Sequence, residues 1–118
     1  MPAHKKLLDE GVDVNTKFRY DRTALSFAAD RGHADAVKLL LDRGADPNIK
    51  DTFYGATPLT WAVNPAMDRT ERHTEVVRLL LARGGIPAEA LSDALASATR
   101  ARLDDVVALL QKAGAKPK

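Results

Sequence analysis

The chain is 118 residues long and carries 18 Lys and Arg residues against 16 Asp and Glu residues, for a formal net charge of +2. A chain of this length can bury one hydrophobic core, so we expect a single domain. The near balance of charge argues against the concentrated basic surface of a protein that reads a phosphate backbone. The absence of cysteine excludes disulfides, thiolate zinc sites and a cysteine nucleophile.

The composition favours helices. The sequence contains 20 alanines and 15 leucines but only one Trp, two Tyr and three Phe residues, a balance that suits closely packed helices better than an aromatic-rich β-sandwich. Its first residues, MPAHKKLLDEG, lack the apolar stretch of a signal peptide. We therefore expect an all-helical protein in the cytoplasm.

One sequence element recurs along the chain. It reads KKLLDEGVDVN at 5–15, VKLLLDRGADPN at 37–48, VRLLLARGGIP at 77–87 and VALLQKAGAKP at 107–117. The glycines of these copies, Gly11, Gly44, Gly84 and Gly114, are spaced by 33, 40 and 30 residues. The spacing indicates a repeat of about 33 residues with one insertion and one deletion.

A second element precedes three of these copies. It reads TALSFAA at 23–29, TPLTWAV at 57–63 and DALASAT at 93–99. Thr23 and Thr57 can cap the helices that begin after them. In the recurring element Val37, Leu40 and Leu41 form one apolar stripe at helical spacing, and Gly44 suits a left-handed C-terminal cap. Each repeat is therefore predicted to pair two short helices.

The segments TPLTWAV and RGHADAVKLLLDRGADPN (31–48), together with the period of about 33 residues, resemble ankyrin repeats. The resemblance implies an all-α solenoid of stacked helix-turn-helix units with short β-turn fingers. It further implies that the fingers and the first helices form a concave face that binds another protein. The sequence departs from the family where the His that ends the TPLH tetrapeptide is replaced by Ser26, Thr60 and Ala96.

The resemblance divides the single domain, 1–118, into a partial unit at 1–15 and further units at 16–48, 49–87 and 88–118. The unit at 49–87 carries six extra residues between its helices, within 64–72, where Pro65 forbids an uninterrupted helix. This insertion is a candidate for a second contact. The last unit is too short for a finger, and Pro87 can start its first helix.

No catalytic motif is present, so we expect a protein without enzyme activity, cofactor or metal ion. The histidines His4, His33 and His73 are 29 and 40 residues apart, and the latter two fall at the starts of second helices, which indicates structural roles. A zinc site would need at least three converging ligands. Asp104 and Asp105 are predicted to lie in a solvated first helical turn rather than to form an acid pair.

The fingers carry the candidate binding residues. Aromatic side chains on turns suit desolvated anchors, and arginines can orient acidic groups of a partner. The predicted contacts are Arg19, Tyr20, Arg22, Asp30, Arg31, Thr52, Phe53, Tyr54 and Trp61. For Trp61 and for Phe27, its equivalent in the preceding unit, packing between repeats fits the sequence equally well.

The sequence thus predicts a monomer that binds another protein but no membrane, no nucleic acid and no small-molecule substrate. Two alternatives stay open at this point. The chain can be an engineered or excised repeat scaffold with no partner of its own, or a regulatory or inhibitory subunit of an enzyme.

Overall fold

A computed structural model of the chain describes residues 14–64 and 69–117. These residues form six α-helices and no strand, which confirms the all-helical prediction. The helices are α1 (Ala24–Asp30), α2 (Ala34–Asp42), α3 (Pro58–Val63), α4 (Glu71–Arg83), α5 (Ala88–Arg100) and α6 (Asp104–Lys112), and a 3₁₀ turn (Arg19–Asp21) precedes them. The partial unit expected at 1–15 lies outside the described residues apart from Val14 and Asn15.

The helices form two layers. Along the chain they pack in pairs, α1 with α2, α3 with α4 and α5 with α6. The first helices of the pairs, α1, α3 and α5, pack side by side in that order, and the second helices, α2, α4 and α6, do the same. The result is an elongated stack that measures 41 × 25 × 24 Å.

The core lies between the two layers. Leu40 and Leu80 of the second helices and Leu25 and Leu59 of the first helices are each at most 1% exposed. Small side chains of the first helices allow close approach; the fully or almost fully buried ones are Ala28, Ala29, Ala62, Ala94 and Ala98. The repeated Leu and Ala positions of the sequence therefore build one continuous core across the stack.

Glycines in the left-handed region end the first two helices. Gly32 follows α1 with φ +70°, and Gly44 follows α2 with φ +90°. In both turns the next residue donates its N–H back into the helix, from His33 to the Ala28 carbonyl and from Ala45 to the Leu40 carbonyl, each at 2.9 Å. These bonds satisfy carbonyl groups at the ends of α1 and α2.

The insertion contributes to a helix as well as to a loop. Val37 and Val77 are equivalent residues, but α2 begins three residues before Val37, whereas α4 begins six residues before Val77. The extra turn of α4 carries His73, which is 1% exposed. Of the inserted segment, residues 65–68 lie outside the described residues. The six extra residues are therefore shared between the connection that follows Val63 and the first turn of α4.

The last unit has no finger, as the sequence predicts. Helix α4 ends at Arg83 and α5 begins at Ala88, so residues 84–87 connect them directly. Pro87 does not start the helix as predicted; it is the extended residue before it, with φ −61° and ψ 151°. The Asn48 side chain donates to the Gly85 carbonyl at 2.9 Å and ties this short connection to the preceding unit.

The two threonines predicted to cap first helices do different things. The Thr23 hydroxyl accepts the Ser26 N–H at 3.3 Å, and the Ser26 hydroxyl donates to the Thr23 carbonyl at 2.9 Å. Ser26 thus makes a local bond at the position where the family has His. Thr57 is 4% exposed, and its hydroxyl has no hydrogen-bond partner within the described residues.

We expect Thr23→Val to lower the free energy of unfolding by about 1 to 2 kcal/mol, because it removes a helix cap. The matched change Thr57→Val is expected to be neutral or stabilising, because it removes a buried hydroxyl that has no partner. Urea unfolding of both variants checks this prediction, and equal losses of stability would contradict it.

Candidate functional site

The first finger, residues 16–22, and the second finger, residues 49–56, lie against each other. The Thr52 N–H donates to the Tyr20 carbonyl at 2.7 Å. Within the first finger the Phe18 N–H donates to the Arg22 carbonyl at 2.7 Å. Tyr20 and Asp21 lie in the left-handed region, with φ 62° and 56°, which is rare for residues other than glycine. The bonds that flank this turn hold it in its unfavourable conformation.

Aromatic side chains cluster across the two fingers. Tyr20, Phe53 and Tyr54 are 45%, 52% and 71% exposed. The ring centroids of Tyr20 and Phe53 are 5.0 Å apart, those of Phe53 and Tyr54 are 4.4 Å apart, and both pairs meet edge to face. Tyr54 also lies 5.5 Å from Trp61, measured between ring centroids. Exposed aromatic rings grouped in this way are typical of surfaces that bind a partner.

Arg22 lies beneath these rings. Its guanidinium carbon is 4.0 Å from the centroid of the Phe27 ring and 4.0 Å from that of the Trp61 ring, so the cation stacks between equivalent residues of successive units. One terminal nitrogen, Nη2, is 3.5 Å from a carboxylate oxygen of Asp30 and donates to the Ser26 carbonyl at 3.4 Å. The Nε atom is buried without a partner. Arg22 therefore joins two units and forms part of the site floor.

Asp51 shapes the second finger. It is 4% exposed, and its Oδ1 accepts the N–H groups of Tyr54 and Gly55 at 2.7 and 3.1 Å. Its Oδ2 accepts the indole N–H of Trp61 at 2.5 Å. One buried carboxylate thus fixes both the turn that presents Tyr54 and the ring that supports it. Side-chain oxygens of Asp commonly stabilise turns in this way.

We expect Asp51→Asn to lower the free energy of unfolding by about 1 to 3 kcal/mol, because the amide has one acceptor oxygen and would point a donor at the Trp61 N–H or at the turn. The loss is expected to be smaller in a Trp61→Phe background, which lacks the indole donor. Urea titrations of the four proteins of this double-mutant cycle measure the coupling. Additive losses would contradict the proposed role of Asp51.

Tyr20, Phe53, Tyr54, Trp61 and Arg22 line one groove with a volume of about 250 Å³. Arg19 and Thr52 are exposed beside it. Among the predicted contacts, Asp30 and Trp61 are buried, with exposures of 5% and 6%, so they support the surface more than they present it. Arg31 follows the C-terminal end of α1. Arg31 does not line the groove.

Phe18, which the sequence interleaves with the basic residues of the first finger, is 45% exposed, and its ring centroid lies 6.4 Å from that of Phe27. Sequence reasoning missed one contributor. Asp51 was not among the candidates, although an Asp followed by Tyr54 and Gly55 at three and four residues is a pattern typical of a side-chain-stabilised turn. That local pattern was the signal that could have found it.

The two described histidines differ in their surroundings. His33 precedes α2 without capping it, and its Nδ1 is buried without a partner. The Nδ1 of His73 accepts the Thr70 N–H at 3.0 Å, and its Nε2 donates to the Asp30 carbonyl at 2.8 Å. His73 therefore links the start of α4 to the end of α1, which is a structural role.

Across residues 14–64 and 69–117, no three His, Cys, Asp or Glu side chains are grouped so that they could hold a metal ion. None of the helices in these ranges is both long enough and apolar enough to cross a membrane.

Comparison with known proteins identifies the fold. A family model described as ankyrin repeats in three copies matches residues 2–89. Ankyrin repeat domain-containing protein 63 of Homo sapiens is 46% identical over 56 residues, which make up 48% of this chain and 14% of that protein. A crystal structure of an ankyrin repeat domain from Acinetobacter baumannii AYE matches with a TM-score of 0.84 and 30% identity over 95% of this chain and 58% of that chain. These matches confirm the ankyrin-type solenoid that the sequence predicts.

A further relative matches almost the full length of the chain. The ankyrin repeat, SAM and basic leucine zipper domain-containing protein 1 of Dasypus novemcinctus is 36% identical over 116 residues, or 95% of this chain. The chain spans 24% of that protein. The chain thus spans about a quarter or less of the length of both curated relatives.

Proposed function

Since this chain belongs to the ankyrin repeat family, we propose that it is a non-catalytic module that binds a partner protein, and that the binding surface is the concave face formed by the two fingers and the first helices. The single observation that carries this proposal is the cluster of exposed aromatic rings, Tyr20, Phe53 and Tyr54, across two adjacent fingers. A lone exposed aromatic residue is ordinary, whereas a contiguous cluster marks an interaction surface.

The arrangement of the site supports this role. Exposed rings supply contact area at a low cost in side-chain entropy, because each ring has few rotatable bonds. Their positions are set in advance by the Thr52 to Tyr20 backbone bond and by the Asp51 carboxylate. A partner therefore meets a surface that is already ordered, and binding does not have to order the fingers first.

We propose that the contact residues predicted from the sequence have different roles in binding. Tyr20, Phe53 and Tyr54 are the apolar anchors, and Arg19 and Thr52 surround them. Arg22, Asp30 and Trp61 hold the anchors from below, and Arg31 is a peripheral contact. We place the module in the cytoplasm as a monomer, in keeping with a sequence that has no cysteine.

We expect the double variant Phe53→Ala, Tyr54→Ala to lose capture of the partner while its free energy of unfolding changes by about 1 kcal/mol or less, because both side chains are largely exposed. Affinity capture from native lysate with quantitative mass spectrometry compares the parent with this variant. Thermal melting of both proteins measures the change in stability.

The matched control is Arg78→Ala, which also removes a large exposed side chain, from α4 rather than from the fingers. A protein retained by the parent and by the control but lost with the double variant identifies the partner and the face. Equal retention by all three proteins, or a large drop in melting temperature of the double variant, would refute the assignment of the site.

A further inference from the structure

The fingers around the aromatic groove carry more basic than acidic residues, which indicates the charge of the ligand. The two fingers contain four basic residues and two acidic ones; the basic residues are Lys17, Arg19, Arg22 and Lys50, and the acidic ones are Asp21 and Asp51. The carboxylate of Asp51 is buried and accepts three N–H groups. Asp21 is half-buried. Of the four basic residues, Arg22 is paired with Asp30 at 3.5 Å and Lys50 with Glu89 at 3.9 Å, so the accessible positive charge of the fingers rests mainly on Lys17 and Arg19.

Two cations of the first finger are open to a ligand. Lys17 and Arg19 are exposed, and neither forms an ion pair with another residue of the described ranges. The Arg19 guanidinium lies over the Tyr20 ring, with its carbon 5.1 Å from the ring centroid, and one of its nitrogens donates to the phenolic oxygen at 3.3 Å. The basic group is thus held at the rim of the aromatic cluster, where a carboxylate can reach it.

The groove itself is apolar with one cationic wall. Rings of Tyr20, Phe53, Tyr54 and Trp61 form its lining together with Arg22. Its volume of about 250 Å³ suits one large side chain rather than a series of bases. Because Arg22 already stacks on Trp61 at 4.0 Å and carries a positive charge, the groove disfavours a cationic ligand such as a methylated lysine.

Resting on the proposed function, we infer that the partner presents an acidic segment in which one large apolar side chain enters the groove while flanking carboxylates bind Lys17 and Arg19. The apolar side chain supplies buried area, and the carboxylates give orientation and a faster approach. Single-stranded nucleic acid fits less well, because bases stack on open ring faces. Here the rings meet one another edge to face, and the cations of Arg19 and Arg22 lie against Tyr20 and Trp61.

The test selects a phage-displayed library of random peptides on the immobilised parent protein. We expect the enriched peptides to combine aspartate or glutamate with a phenylalanine, tryptophan or leucine. The fluorescein-labelled best peptide is then titrated by fluorescence polarisation against the parent, Tyr54→Ala, Arg19→Glu and the control Lys112→Glu. The control makes the same change of charge at an exposed position of α6.

For the inferred ligand, Tyr54→Ala and Arg19→Glu each weaken binding by about fivefold or more, and added salt weakens it further. The Lys112→Glu control binds like the parent. Circular dichroism establishes that all variants are folded, so that a loss of binding reports the surface.

Four other outcomes would overturn the inference. Enrichment of neutral or basic peptides whose binding is still lost in Tyr54→Ala would support the proposed function but contradict the inference that the partner is acidic. Peptides that bind Tyr54→Ala as well as the parent, or no enrichment at all, would count against both proposals. A labelled oligothymidylate that binds the parent and displaces the peptide would point to nucleic acid instead.

Discussion

Replacement of Gly32 by alanine is expected to lower the free energy of unfolding by about 2 to 4 kcal/mol, which combines the cost of a left-handed residue with that of a forced contact in a packed interior. Gly32 has φ +70°, and a Cβ built there would lie 2.8 Å from Cε1 and 2.9 Å from Nδ1 of His73. The ring cannot move aside cheaply, because it is 1% exposed and both of its nitrogens are hydrogen-bonded.

Gly44→Ala is the matched control for this change. Gly44 occupies the same position after α2 that Gly32 occupies after α1, with φ +90°, but a Cβ there meets nothing within 4 Å. We expect Gly44→Ala to lower the free energy of unfolding by about 1 to 2 kcal/mol, which is the cost of the left-handed backbone conformation alone. Chemical unfolding of both variants separates backbone strain from steric contact. If Gly44→Ala proves as destabilising as Gly32→Ala, the contact with His73 is not what constrains Gly32.

Truncation of Leu40 to alanine is expected to lower the free energy of unfolding by about 2 to 5 kcal/mol, the loss usually found when a buried leucine is replaced by alanine. Leu40 is 1% exposed in the middle of α2, within the core shared by both layers. Domains of this size are commonly stable by only about 5 to 15 kcal/mol, so the loss is a large fraction of the total. Each kcal/mol lowers the melting temperature by about 4 °C, which thermal unfolding resolves readily.

The adjacent variant Leu39→Ala provides the comparison for Leu40→Ala. It removes the same atoms from the same helix at a side chain that is only half-buried. Its loss of stability is expected to be clearly smaller. A Leu40→Ala protein with the same melting temperature as the parent would contradict the role of Leu40 in the stacked core.

The helix pairs were predictable because the sequence repeats its own pattern. Leu25 and Leu59, or Leu40 and Leu80, are equivalent in the sequence and equally buried in the structure. A position that recurs at the same place in successive units must serve the same packing, since each unit contacts only its neighbours. The division into units at 16–48, 49–87 and 88–118 rests on this reasoning and stays a prediction.

The site was only partly predictable, because its contacts cross between units. The presence of aromatic residues on the fingers could be read from Tyr20, Phe53 and Tyr54, but the stacking of Arg22 between Phe27 and Trp61 depends on how successive units pack. For the same reason the sequence left open whether Trp61 packs between repeats or contacts a partner, and the structure shows that it is buried. The hydrogen bond from His73 to the Asp30 carbonyl joins residues 43 positions apart and could not be predicted from the sequence either.

The link between the two fingers has a consequence for how this surface can change. The bond from the Thr52 N–H to the Tyr20 carbonyl is made by main-chain atoms, so it does not need a particular side chain at position 52. Substitutions at Thr52, Phe53 or Tyr54 can therefore alter the chemistry of the surface while the spacing of the fingers is kept. Specificity and architecture are encoded by different atoms of the same residues, so descendants of this sequence could acquire new partners without first rebuilding the scaffold.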